Sequence, residues 1–173
     1  KEWEVYGVGA TPAQAVLHGM LEVMGFPPDL LVSGINYGEN LASGITVSGT
    51  VGAALEGASL GIRAMAVSLQ TPMTEHFDLS DRVDFSAAAW FTRFFAEKLL
   101  QKTLPFDVDV LKVDVPSNAT PETSWVVTRQ SRQRYFYAKP KDPSITEGSR
   151  NMGYEVRVDQ EGLEEDGDLK TVV

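Results

Sequence analysis

Residues 29–69 read DLLVSGINYGENLASGITVSGTVGAALEGASLGIRAMAVSL. The stretch opens on an apolar run, passes through a long polar loop, turns alanine-rich and closes on a second apolar run. The first run, 29–35, reads as a buried strand thinned at its end by Gly34. Residues 50–60 read as a helix of small residues stopped by Gly61, and 63–69 as another strand. Strand, loop, helix, strand is a βαβ unit, which implies parallel sheet. The loop is the odd part, because long loops inside compact domains are uncommon and usually functional.

Outward from this unit, 3–8 alternates apolar and polar residues and reads as a short strand. Thr11 is a good N-cap, Pro12 suits the first helical turn and Gln14 completes a capping box, so a helix should run to about Met24 and end at Gly25. Val16, Met20, Val23 and Met24 form its apolar stripe. Residues 81–101 read as a long helix with Val83, Ala87, Trp90, Phe91, Phe94, Phe95 and Leu99 at core spacing. Strands are expected at 108–115, 125–128 and 154–158. Residues 129–153 read as a polar excursion, a hairpin reaching another subunit. The acidic run 159–168 reads as a solvated loop, and His18 and His76 as ordinary surface and loop histidines. The expected fold is α/β: a Rossmann-like, mainly parallel sheet in a three-layer α/β/α sandwich, with one domain over 1–173.

The 173 residues suit one domain, and 43% apolar content can bury a sizeable core. No cysteine is present, which excludes disulfides and thiolate metal sites. A net charge of −9 argues against duplex nucleic acid as a partner. No apolar run reaches the roughly 18 residues of a membrane span, and no secretory signal opens the chain. Lys1-Glu2-Trp3 lacks a methionine and the end stops in apolar sequence, so both ends read as cut from something longer.

Asn36, at the carboxyl end of a strand, offers a neutral hard oxygen suited to Mg²⁺ or Mn²⁺. Gly34 and Gly38 permit close backbone approach beside Ser33. Ser48-Gly49-Thr50 precedes a helix, where free N–H groups and hydroxyls favour an anion. Gly44 to Thr50 approaches a P-loop but lacks its lysine, so an ordinary NTP-hydrolysing loop is rejected. Gly7-Val8-Gly9 is only a fragment of a dinucleotide fingerprint. From the residues alone two readings stand: a phosphate or nucleotide site, or glycines and alanines that merely let a helix pack closely on a sheet.

The run SGINYGENLASGITVSGTVGAALEGASLGIRAMAVSL strongly resembles the SurE family of stationary-phase survival proteins. Three further segments support it: VGATPAQAV at 8–16, LKVDVP at 111–116 and VTRQSRQRY at 127–135. The resemblance implies a metal-dependent phosphatase that hydrolyses nucleoside 5′- and 3′-monophosphates, is cytoplasmic, and forms homodimers or homotetramers through an excursion at 129–158. It implies a divalent cation on Asn36 and a phosphate on Ser48, Gly49 and Thr50, with Asn40 near the substrate. Ala10, Gln14, Lys112 and Asp114 depart from the family's pattern, the last two replacing asparagines. The family's NDDG strand, whose aspartates bind metal, and a serine ligand from a later loop are not among these residues, so the catalytic groups stay unassigned. The alternative expectation is a nucleotide-binding module without catalysis.

Overall fold

The computed structural model describes residues 3–76, 81–101, 105–139 and 153–173. The chain divides into two compact units, Lys1–Asn40 with Thr46–Ser124, and Leu41–Ile45 with Trp125–Val173.

The first unit is built on three parallel strands in the order β1 (Leu31–Tyr37), β2 (Ala64–Leu69) and β3 (Val110–Val115). β2 is central and buried at every position, which accounts for its continuous small and apolar sequence. Its alternate residues face opposite layers. Met65, Val67 and Leu69 pack with Ala88, Phe91 and Leu99 of helix α3 (Ser86–Leu100) and with Val113 and Val115. The other face meets helix α2 (Gly49–Ser59), whose Gly57 lies so close to Leu31 that a Cβ there would sit 2.7 Å from Leu31 Cδ1. Helix α1 (Pro12–His18) packs on α2, so the expected three layers are present.

Local chemistry explains the ends. Thr11 and Gln14 form the expected capping box. The helix continues over Gly19–Met24 in π-helical form and ends at Gly25 with φ 67°. α3 starts at Ser86 rather than 81, where Asp84 Oδ1 accepts the Ser86 N–H at 2.8 Å. Its stripe is wider than the core: Trp90 stays 38% exposed and stacks on Phe94.

Two expected strands are not formed. Residues 3–8 are irregular, with Trp3 and Val5 both 89% exposed, and 125–128 are irregular too. Alternation makes a strand only where another strand pairs with it, and among the described residues none does.

In the second unit, β4 (Phe136–Lys139) pairs antiparallel with β5 (Gly153–Val156). The middle of the expected 129–158 excursion, 140–152, lies outside the described residues. Leu41, Ala42, Tyr135 and Leu169 form the core, and helix α4 (Asp168–Val172) supplies Leu169. The acidic run is not a purely solvated loop. Asp168 is buried, and its carboxylate accepts the N–H groups of Ala42, Ser131 and Leu169 at 3.0, 2.9 and 2.8 Å. Asp166 pairs with Arg129. A carboxylate at the end of an acidic run is buried because backbone donors from two distant segments converge on it.

Candidate functional site

Parallel register places Asn36, Ser68 and Asp114 side by side at the carboxyl ends of β1, β2 and β3. They share the face covered by α2, since Leu31 and Ala64 pair on that same face. Asn36 therefore lies within β1, one residue before its end, rather than after the strand. The chain rises along β1 and returns along α2, so the α2 N-terminus opens at this same edge of the sheet.

The turn after β1 is tightly specified. Gly34 has φ 119°, and a Cβ on it would lie 2.3 Å from Val67 O, so only glycine lets β1 approach β2 there. The Gly34–Ile35 peptide is cis, and the ladder shifts between Ser33 and Asn36. Ser33 pairs with Ala66 one step below the polar row. Gly38 has φ 94°, donates its N–H to Leu69 O at 2.8 Å and lies directly under the His76 ring. His76 Nε2 in turn donates to Thr71 O at 3.2 Å.

This turn orients the Asn36 amide. Its Nδ2 donates to Gly38 O at 2.7 Å and Tyr37 O at 3.2 Å. Two carbonyl acceptors require the nitrogen side of the amide, so Oδ1 is directed away from the turn. A divalent cation would find a neutral oxygen there, which fits the hard-ligand chemistry of Mg²⁺ or Mn²⁺. Among the described residues no group of three or more histidines or carboxylates stands ready to hold an ion.

Asn40 is buried. Its Nδ2 donates to Ser68 Oγ at 2.6 Å, its N–H to Asp114 Oδ1 at 2.7 Å, and its carbonyl accepts Lys112 Nζ at 3.0 Å. Ser48 is the N-cap of α2, its Oγ accepting the Val51 N–H at 3.1 Å. The first turn leaves the N–H groups of Gly49 and Thr50 with no carbonyl of the helix to bond, at the positive end of the helix dipole. Gly49 is exposed, while Ser48 and Thr50 are half-buried. Pro12 packs on Gly49, where a Cβ would come within 2.9 Å of the proline ring.

The structure therefore brings Asn36, Gly38 and Asn40 into one turn and sets Ser48, Gly49 and Thr50 at a helix start on the same edge. The sequence reading had not singled out Ser68, and it took His76 for an ordinary loop histidine. The one signal for Ser68 is a hydroxyl inside an otherwise apolar buried strand. Lys112 and Asp114 had been noted only as departures from a pattern.

Comparison with known proteins bears on this geometry. The family model described as "Survival protein SurE" matches residues 1–137. The "5′-nucleotidase SurE" of Archaeoglobus fulgidus is 45% identical over 163 residues, covering 92% of this chain and 62% of the relative. That of Thermococcus kodakarensis is 44% identical over 130 residues, covering 75% of this chain and 49% of the relative. The crystal structure of the SurE protein from Aquifex aeolicus superposes with a TM-score of 0.67 at 29% identity, over 95% of this chain and 63% of that one. This chain thus spans only part of the length of each relative.

Proposed function

This chain belongs to the SurE family, and on that premise we propose that it supplies the phosphate-holding part of a metal-dependent phosphomonoesterase acting on nucleoside 5′-monophosphates, with 3′-monophosphates as a second substrate class. The observation that carries the reading is the pairing of two features at one sheet edge: an asparagine oxygen aimed out of a locked turn, and a helix start with unbonded N–H groups. The names of the relatives, 5′-nucleotidases, agree with it.

In this reading Asn36 Oδ1 would hold a Mg²⁺ or Mn²⁺ ion, together with the aspartates that the family's NDDG strand supplies. Bound there, the ion polarises the phosphoryl group and lowers the cost of activating water. Ser48, Gly49 and Thr50 grip the phosphate oxygens, strengthening as charge develops on them. Asn40 anchors the turn beside the substrate, and Ser33, Gly34 and Gly38 give it its shape. The cation also offsets the repulsion between an anionic substrate and a chain of net charge −9. A cytoplasmic location and assembly into homodimers or homotetramers through the 129–158 excursion complete the proposal. Among the described residues no helix is long and apolar enough to cross a membrane.

Phosphate release from 5′-AMP by the full-length protein, with and without Mn²⁺, tests the reading. Metal-dependent release is expected. Tight binding of the nucleotide without turnover would replace it with the second reading, a nucleotide-binding module.

A further inference from the structure

Lys112 and Asp114 stand two residues apart on β3, on the face that carries the polar row, and form an ion pair. The Asp114 side chain is 5% exposed and that of Lys112 23%. Removing an ion pair from water costs more than the attraction commonly returns, so such a pair is weak grounds for stability alone. Both charges reach to one residue. Asp114 Oδ1 accepts the Asn40 N–H, and Lys112 Nζ donates to the Asn40 carbonyl. Asn40 also holds Ser68 through its amide.

The turn 36–40 is therefore tied at both ends. At one end Asn36 bonds Gly38 O, and Gly38 bonds the end of β2. At the other end β3 grips both main-chain polar groups of Asn40. The grip is electrically balanced. It adds no net charge to a sheet edge where, two strand spacings or roughly 10 Å away, Asn36 presents its oxygen.

We propose that Lys112 and Asp114 are a charge-balanced pair of positioning residues, which together seat the turn 36–40 through Asn40 and so set the place of the Asn36 oxygen. This rests on the reading of Asn36 as a cation ligand. Losing either member frees one side of Asn40 and leaves a lone charge near the cation. Losing both loosens the turn at Asn40 but restores neutrality near the cation.

The test uses the full-length protein and three variants: Asp114→Asn, Lys112→Asn and the double variant. Three quantities are read: Mn²⁺ affinity by calorimetry, phosphate release from 5′-AMP, and hydrogen exchange of the Asn40 amide. Asp114→Asn leaves an ammonium alone, so Mn²⁺ affinity should fall about tenfold or more. Lys112→Asn leaves a carboxylate alone, so kcat should fall about tenfold while Mn²⁺ affinity does not fall. The Asn40 amide should exchange faster in both, and the double variant should recover most of the lost Mn²⁺ affinity. Losses that simply multiply in the double variant overturn the proposal, as do single variants matching the parent in all three quantities. Should the parent neither bind Mn²⁺ nor release phosphate, the site reading fails by itself. Asn40 exchange then still decides the clamp: faster exchange in the single variants upholds it, and unchanged exchange overturns it.

Discussion

Asn36 Nδ2 lies 2.7 Å from Gly38 O, and this bond decides which end of the amide the turn presents outward. Asn36→Asp replaces the donating Nδ2 with a carboxylate oxygen set against two carbonyls. The turn should then lose about 1–3 kcal/mol. Asn36→Ala keeps the fold and removes the oxygen, so metal-dependent turnover should drop at least about tenfold. Steady-state rates across a Mn²⁺ series check this, and an unchanged rate would remove Asn36 from the cation site.

Ser48 has two tasks that mutation can separate. Its Oγ caps α2 by accepting the Val51 N–H, and Ser48→Ala should cost about 1 kcal/mol of stability. Thr50 is not the cap, so Thr50→Ala should leave stability nearly unchanged. Both should weaken inhibition by inorganic phosphate, by about 1–3 kcal/mol for a lost charge-assisted bond. If phosphate inhibition stays put in both, the helix start is architectural.

Asp168 binds backbone N–H groups of Ala42, Ser131 and Leu169, joining distant segments of the second unit. Asp168→Ala would leave three buried donors without that acceptor and should destabilise by about 3–5 kcal/mol. Asp168→Asn keeps one acceptor oxygen and should cost less. Urea unfolding followed by circular dichroism would show it, and a shift under 1 kcal/mol (about the worth of one ordinary bond) would contradict the role.

Glu155 is held below its ordinary value of 4.5 by hydrogen bonds from Lys139 and Arg157. The sign follows from linkage: a depressed carboxylate adds stability that is fully present above the ordinary value and is lost as pH falls through the folded one. The β4–β5 pairing should therefore loosen on acidification below about pH 4.5, and Glu155→Gln should remove that dependence. A carbon-detected titration of the carboxyl group checks it; a midpoint at or above 4.5 would refute it.

The parts that local pattern could carry were legible. The βαβ core, the Thr11–Gln14 capping box and the turn glycines follow from neighbours in the chain. Gly34 and Gly38 do adopt positive φ, and Asn36 falls within one residue of the strand end where it was expected. The family motif was legible too, because it is contiguous.

The failures share a cause. Residues 3–8 and 125–128 carry strand-like alternation, yet pairing belongs to two segments and a single segment cannot guarantee it. Asp168 reads as one more charge in DQEGLEEDGD until donors from Ala42 and Ser131 arrive beside it. The sequence by itself determined the βαβ unit, the Thr11–Gln14 cap and which turn carries the asparagines, since propensity, capping and positive φ act over a few residues. Only the tertiary structure decided that Asn36, Ser68 and Asp114 share one row and that Lys112 reaches Asn40, because strand register and charge burial join residues up to 78 positions apart.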